Sequence, residues 1–336
     1  MQRLDSLKFV FSNELALSIP ENFNKKIDII DEIEHVSYSL KPKLTRTGIK
    51  GIYRNNNNFV VEVSSKLIPG EYYNMMNINN IERYFDAINN SGLIQFDTKT
   101  IIENSHVLSC DTTNNIPGIE NVATYINPLQ IYKVNDKFVC KLYKNESIIF
   151  HKNVKILKTG EHLKLYDKFK ELGKSKKKED EQFLNNIDIE KFRNVLRIES
   201  RFNSLKLMRK YFNVSDTTLF NILNSNENVN LNIFNRITDI NNIDTETFTN
   251  YKSLVQMREN KITRASIEKK AGMIQIIKML NNDIGLIRMF INTGSTANNS
   301  AKIKEYKSLI KSINDVENNS SIDERVNEIK EYLKVA

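Results

Sequence analysis

The stretch Leu196-Arg197-Ile198-Glu199-Ser200-Arg201-Phe202 is where residue type and spacing could most clearly do chemistry. It alternates with the period of a strand, so Ile198, Ser200 and Phe202 face one way and Arg197, Glu199 and Arg201 the other. A sheet face carrying cation, anion, cation either lies in solvent as cross-strand ion pairs or lines a site. In a site, two arginines can hold phosphate oxygens while the carboxylate between them holds a divalent metal. The segment from His162 to Lys168 repeats the pattern, with His162, Lys164, Tyr166 and Lys168 on one polar face. In a third strand Val107, Ser109 and Asp111 align, with Asp111 at its end. Glu62 is a fourth acid, set in the otherwise apolar Phe59-Val60-Val61-Glu62-Val63-Ser64, where it must be exposed on the second face or paired. Several strands offering carboxylates and bases to one face would suit metal-assisted phosphoryl transfer.

A nucleophile for such chemistry stands just beyond. Ser204 to Phe212 reads as a basic amphipathic helix leaving the strand end, with Lys206, Arg209 and Lys210 along it and Tyr211 two turns in. Tyr211 is either half-buried packing or a nucleophile that forms a phosphotyrosine bond, its pKa lowered by those cations. Other chemistries are missing. No glycine-rich phosphate loop, no G-x-S-x-G elbow and no paired-cysteine zinc pattern occurs, and ten glycines in all speak against a dinucleotide fold. The four histidines, His35, His106, His151 and His162, include no His-x-His pair.

The elements that must position these residues change character along the chain. Leu7 to Phe11 and Phe59 to Ser64 are strands, the second preceded by the turn tract Asn55 to Asn58 and paired with Gly51-Ile52-Tyr53 in a hairpin. Asn79 to Ile88 has helical spacing at Ile81, Tyr84, Phe85 and Ile88. A strand from His106 to Thr112 and a short helix from Glu120 to Ile126 follow. Phe138 to Tyr143, Ser147 to His151, Val154 to Leu157 and His162 to Lys168 read as a meander, and Lys174 to Gln182 as a solvated charge run. After about Ser204 the pattern is helical: Leu205 to Phe212, Asp216 to Asn224 capped at Ser215 or Asp216, Phe248 to Arg258, Thr263 to Leu280, Asn282 to Ile291, Ala301 to Ile313 and Ile322 to Leu333. The expected fold class is α+β, with a mostly antiparallel N-terminal sheet domain carrying inserted helices over 1–212 and a C-terminal helical domain over 213–336.

Of 336 residues, 40% are hydrophobic and 27% charged, enough for a real core, and no apolar run reaches the length of about 20 that crosses a bilayer. The two cysteines, Cys110 and Cys140, sit in strand-like apolar contexts as reduced core residues, and the expected compartment is the cytoplasm. The net charge of +8 points to an anionic partner, nucleic acid or a membrane surface, although an AT-rich genome also enriches Lys, Asn and Ile.

The order of these motifs resembles phage and plasmid replication initiators of the gene II/X type, related in outline to rolling-circle plasmid Rep proteins. The resemblance rests on Leu4-Asp5-Ser6-Leu7-Lys8-Phe9, Val60-Val61-Glu62-Val63-Ser64 and Val107-Leu108-Ser109-Cys110-Asp111-Thr112-Thr113. Most specific are the paired signatures Lys164-Leu165-Tyr166-Asp167-Lys168-Phe169-Lys170-Glu171-Leu172 and Leu196 to Phe202. It covers about residues 4 to 212. It implies a sequence-specific, Mg²⁺- or Mn²⁺-dependent DNA nickase that joins its 5′ phosphate to a tyrosine, leaves a 3′-OH to prime replication and later rejoins the strand. By position, Glu199 and Asp111 become metal ligands or their supports, with Glu62 and His162 beside them. Arg197 and Lys168 become phosphate contacts, and Lys168 sits among the catalytic residues. Arg201, Lys206, Arg209 and Lys210 are expected DNA contacts, as is Arg264 in the helical part that the resemblance does not cover, and Tyr211 becomes the nucleophile. The filamentous-phage version has a tyrosine nearer the Arg-x-Glu strand, where this chain has Lys206, so Tyr166 competes for the role. The implied partners are single- and double-stranded origin DNA, a second copy of the chain and host replication proteins, with no membrane.

Two alternatives stand beside this one. The first is a non-enzymatic Rep-like DNA-binding protein, a repressor or origin-recognition factor, in which Thr263, Arg264 and Lys269 open a recognition helix; a helix bundle packing on the sheet accounts for the same residues. The second is an unrelated basic structural or interaction protein.

Overall fold

A computed structural model describes residues 1–18, 23–30, 33–40, 48–54, 57–129, 138–143, 146–152, 161–174, 181, 183–238, 264–281, 283–293, 299–317 and 320–335. The strands are β1 (Leu4–Ser12), β2 (Ala16–Ser18), β3 (Phe23–Ile30), β4 (Ile33–Leu40), β5 (Ile49–Arg54), β6 (Asn58–Ser64), β7 (Gln95–Phe96), β8 (His106–Ile116), β9 (Phe138–Tyr143), β10 (Ser147–Lys152), β11 (His162–Asp167) and β12 (Leu196–Phe202). The helices are α1 (Ile81–Asn90), α2 (Thr98–Asn104), α3 (Val122–Leu129), α4 (Lys168–Gly173), α5 (Leu205–Phe212), α6 (Leu219–Asn224), α7 (Val229–Thr238), α8 (Arg264–Met279), α9 (Ile284–Asn292), α10 (Asn299–Glu317) and α11 (Ser320–Val335). The fold is α+β.

Ten strands form one sheet in the order β3-β4-β5-β6-β1-β8-β12-β11-β10-β9, and every pairing in it is antiparallel. The central strands obey period two. On one face Leu7, Phe9, Val61, Val63, Cys110, Ile198 and Phe202 are buried. Phe85 of α1 stacks on Phe9 at 5.1 Å, and Tyr211 and Phe212 of α5 close on Phe202 at 5.6 and 5.5 Å. The Cys110 thiol lies in this layer, 3.9 Å from the Met208 sulfur, and burial pushes its pKa up. Among the described residues the other face carries polar groups and is capped at one end by Tyr72, Leu172, Phe183 and Phe192.

One break in the alternation shapes that polar face. In β1 the buried residues are Leu4, Leu7, Phe9 and Phe11, so two part-buried residues, Asp5 and Ser6, stand where strict alternation allows one. The register against β8 shifts there, from Leu4 opposite Thr112 to Ser6 opposite Asp111. That extra residue is a β-bulge, which re-aims a side chain at the price of one ladder position.

Contacts divide the chain into two compact units, and this corrects the expected boundary at 212. The first unit comprises Met1–Gln130, Val134–Asp239 and Ile329–Ala336; the second comprises Ile131–Lys133 and Ile240–Glu328. Helices α6 and α7 belong to the sheet unit because their apolar residues Leu219, Ile222, Ile233 and Phe234 are fully buried in it. Asn230 of α7 pins the helix to the sheet: its Oδ1 accepts from Ser200 Oγ at 2.6 Å and Thr112 Oγ1 at 3.1 Å, and its Nδ2 donates to Asn114 Oδ1 at 2.6 Å. Helix α6 starts at Leu219 with Thr218 as its cap, later than the expected Ser215 or Asp216, because the Asp216 side chain accepts from the Thr218 amide in the turn before it. In the second unit, Met273 and Ile277 of α8, Ile287 and Ile291 of α9 and Tyr306 of α10 form a core of their own. The expected strand Val154 to Leu157 and helix Phe248 to Arg258 lie outside the described residues, as does most of the charge run.

Candidate functional site

The polar face of the sheet unit carries a cleft of about 1200 Å³. Its cations are Lys50, Lys66, Lys164, Lys168 and Arg201; its carboxylates are Asp5, Asp111, Glu171 and Glu199. The register explains the convergence. Across β8, β12 and β11, Asp111 pairs with Arg201 and Arg201 with His162; Thr113 pairs with Glu199 and Glu199 with Lys164; Asn115 pairs with Arg197 and Arg197 with Tyr166. The expected shared face of Arg197, Glu199 and Arg201 with His162, Lys164 and Tyr166 is therefore present.

At the centre, the Tyr166 hydroxyl donates to Glu199 Oε2 at 3.0 Å, and the Lys164 ammonium lies 3.9 Å from the centre of the Tyr166 ring. Burial, and then the carboxylates of Asp5 and Asp111, raises the Glu199 carboxyl above its ordinary value. Burial, and then the Glu199 charge, raises the Tyr166 phenol well above its own. A carboxyl made more basic in contact with a hydroxyl made less acidic is a proton acceptor set against a proton donor. At the cleft mouth Arg201 grips Asp111 with two hydrogen bonds, 2.7 Å from Nε and 2.8 Å from Nη2.

Beneath this pair lies a buried charge cluster. Arg197 is fully buried; its Nε donates to Asn115 Oδ1 at 2.9 Å, and its Nη1 stands 3.7 Å from Asp5 Oδ2. The rings of Tyr72 and Phe192 flank its guanidinium at 5.3 and 5.5 Å, and its Nη2 has no hydrogen-bond partner among the described residues. Lys168, first residue of α4, is buried beside it, with Nζ 2.6 Å from Glu171 Oε2 and over the rings of Tyr72 and Tyr166. Burial, then the Arg197 charge, lowers the Lys168 ammonium below the usual lysine value. Burial alone would raise Asp5; Arg197, Lys168 and a hydrogen bond from Ser65 outweigh it and hold its carboxyl low. Tyr72, Leu172, Phe183 and Phe192 pack as an apolar cap over this end of the face.

Asp5 and Tyr72 were not among the expected site residues. The doubled polar pair Asp5-Ser6 was the one sequence signal for Asp5, because it marks the bulge that turns both residues to the cleft. Tyr72 sits in a turn-rich segment and carries no signal.

The other expected residues separate. Tyr211 lies on the helix-covered face, against Phe202. Its hydroxyl accepts from Arg236 Nη1 at 2.6 Å beside the buried Glu161, and burial first, then Glu161, pushes its pKa up to about 12. The α5 cations therefore do not lower it. Lys206, Arg209 and Lys210 are exposed on α5, with Arg209 and Lys210 in its last turn and none of them lining the cleft. Glu62 lies three strands from β12, roughly 14 Å away, and pairs with Lys8 at 3.7 Å. His162 stands beyond Arg201 from Asp111. Arg264 opens α8, with its side chain outside the described residues; Lys269 of the same helix pairs with Glu305 of α10 at 2.9 Å.

These positions do not fit the divalent ion that the resemblance implies. Asp111 has both oxygens on Arg201, Glu62 is too far, and Arg201 fills the register position between Asp111 and His162. Among the described residues no three His, Cys, Asp or Glu side chains converge as a metal site. Among them, too, no helix is long and apolar enough to cross a membrane. Compared with known protein families, curated proteins and solved structures, the chain matches none.

Proposed function

We propose that the chain is a cytoplasmic replication initiator that nicks and rejoins DNA in the cleft on the polar sheet face, with Tyr166 as nucleophile. The observation that carries this is the 3.0 Å contact from Tyr166 to Glu199 in a cleft lined by Lys164, Lys168 and Arg201. Tyr166 Oη forms a bond to phosphorus and the P–O3′ bond breaks. The phenolic proton passes to Glu199, and the departing 3′ oxygen takes a proton from Lys168. The product is a 5′ phosphate held on tyrosine and a free 3′-OH; the reverse step rejoins the strand. Arg201 and Lys164 hold the phosphate oxygens, where charge builds as the bond forms. Arg197 is a positioning residue, since it is buried behind Tyr166.

The test is to incubate the protein with supercoiled and single-stranded DNA of the element that encodes it, with and without Mn²⁺. A nicked product with protein on its 5′ end supports the proposal, and the lack of any adduct under all conditions overturns it.

One observation favours a second function, DNA binding without cleavage: Tyr166 is only 3% exposed, so a phosphodiester must press into the cleft wall to reach it. Binding that falls steeply with salt, without an adduct, would select that function.

A further inference from the structure

Most carboxylates on this face are engaged by cations of the same chain, and Glu199 accepts from the Tyr166 hydroxyl. Arg201 holds Asp111, Arg197 and Lys168 share Asp5, Lys168 reaches Glu171, and Lys8 reaches Glu62. A divalent ion such as Mg²⁺ asks for a near-octahedral shell of oxygens and sheds its water reluctantly. Oxygens already engaged by guanidinium and ammonium groups offer it little. A phosphodiester has the complementary need. Its two free oxygens match a guanidinium edge as a carboxylate does, so Arg201 can exchange Asp111 for phosphate without losing a bidentate partner. The Arg201 side chain is 47% exposed at the cleft mouth while Asp111 is buried beneath it, which leaves the guanidinium open to such an exchange. Lys164 and Lys168 also lie in the cleft, with their ammonium groups 3.9 and 5.5 Å from the centre of the Tyr166 ring.

We infer that the cleft holds a phosphodiester with Arg201, Lys164 and Lys168 in place of a divalent cation, and that Asp111 competes with the phosphate for Arg201. This rests on the cleft being the DNA phosphate site. It predicts binding that needs no metal and that strengthens when the competing carboxylate is neutralised.

The experiment is fluorescence anisotropy of a short labelled single strand of mixed sequence, titrated with the full chain in EDTA and again in Mg²⁺ or Mn²⁺. Binding in EDTA should equal or exceed that with metal, with a log–log salt slope of about −2 for three phosphate contacts. Arg201→Gln and Lys164→Gln should each weaken it several-fold, and Asp111→Asn should strengthen it. Should Asp111→Asn fail to fold, Glu171→Gln on the exposed rim applies the same test through Lys168. Binding that vanishes in EDTA and returns with metal, or an Asp111→Asn variant that binds more weakly and loses a metal response, overturns the inference and leaves the DNA function standing. Absence of binding, or binding indifferent to Arg201→Gln and Lys164→Gln, overturns the cleft as the DNA site, and the inference with it.

Discussion

Tyr166 and Glu199 meet at 3.0 Å across neighbouring strands, yet they are not directly opposite: Tyr166 pairs with Arg197 and Glu199 with Lys164. The contact is a diagonal one, within reach only because tyrosine is long. Phenylalanine has the same ring without the hydroxyl, so Tyr166→Phe isolates the chemistry from the packing.

Tyr166→Phe should abolish the covalent DNA adduct while changing unfolding free energy by only about 1 kcal/mol. Tyr211→Phe should keep the adduct, and it should lose about 1–2 kcal/mol because Arg236 and Glu161 are left without their hydroxyl partner. Gel detection of the adduct and urea unfolding of both variants measure this. An adduct that survives Tyr166→Phe and disappears in Tyr211→Phe would return the nucleophile to the helix.

The raised carboxyl of Glu199 predicts a pH profile. A general base acts only when deprotonated, so adduct formation should rise with pH through a midpoint above the ordinary glutamate value of 4.5. Glu199→Gln should remove that acid limb and slow the step about 10²–10⁴-fold. A profile with no acid limb in the parent protein would count against Glu199 as the base.

Glu161 gives a stability profile of opposite origin. Burial would raise its carboxyl, but hydrogen bonds from Lys152 and Tyr211 and the charge of Arg236 outweigh burial and lower it below 4.5. A group held low in the folded state stabilises fully above its unfolded pKa, and that stability is lost as pH falls through the folded value. Glu161→Gln should therefore be less stable than the parent by about 1–3 kcal/mol at pH 7, and the gap should narrow steadily below about pH 4.5. Urea unfolding at several pH values reads the gap directly. A gap that stays constant into acid would show that the ion pairs contribute nothing.

Gly48 is the most constrained backbone position at the cleft. Its φ is +89°, and a Cβ there would meet the Leu67 backbone at 2.3 Å. Gly48→Ala should cost about 2 kcal/mol or more, whereas Gly70→Ala, with open space around it, should change little. Thermal melts of the two variants compare them.

Much of the fold was legible because period two and period 3.6 were well kept. The alternation from Leu196 to Phe202 predicted a buried face and a polar one, and Ile198, Ser200 and Phe202 are indeed covered by helices. The spacing of Ile81, Tyr84, Phe85 and Ile88 predicted the buried stripe of α1. Boundaries and interactions across the chain were less visible. Helix α7 has asparagines among its apolar residues, and its place in the sheet unit depends on Asn230 finding Ser200, Thr112 and Asn114, partners 30 and 118 residues away for the first two. Tyr211 shows the other limit. Its cationic neighbours in sequence suggest an activated phenol, but Lys210 lies against the ring at 5.2 Å, and the groups that reach the hydroxyl are Arg236 and Glu161. The joint face of β8, β12 and β11 followed from strand order, which no local pattern encodes.

The last eight residues of the chain, from Ile329, return to the sheet unit, where Ile329 and Leu333 are fully buried and the Leu333 carbonyl accepts from Asn228. The helical unit is thus inserted in the sheet unit's sequence, so on the ribosome the sheet unit gains Ile329 and Leu333 only after residues 240–328 have been made. A variant truncated before Ile329 should therefore keep its strand pairings but lose the apolar packing of Ile329 and Leu333 and the bond to Asn228. Packing of one unit's helix face thus waits on synthesis of the other unit.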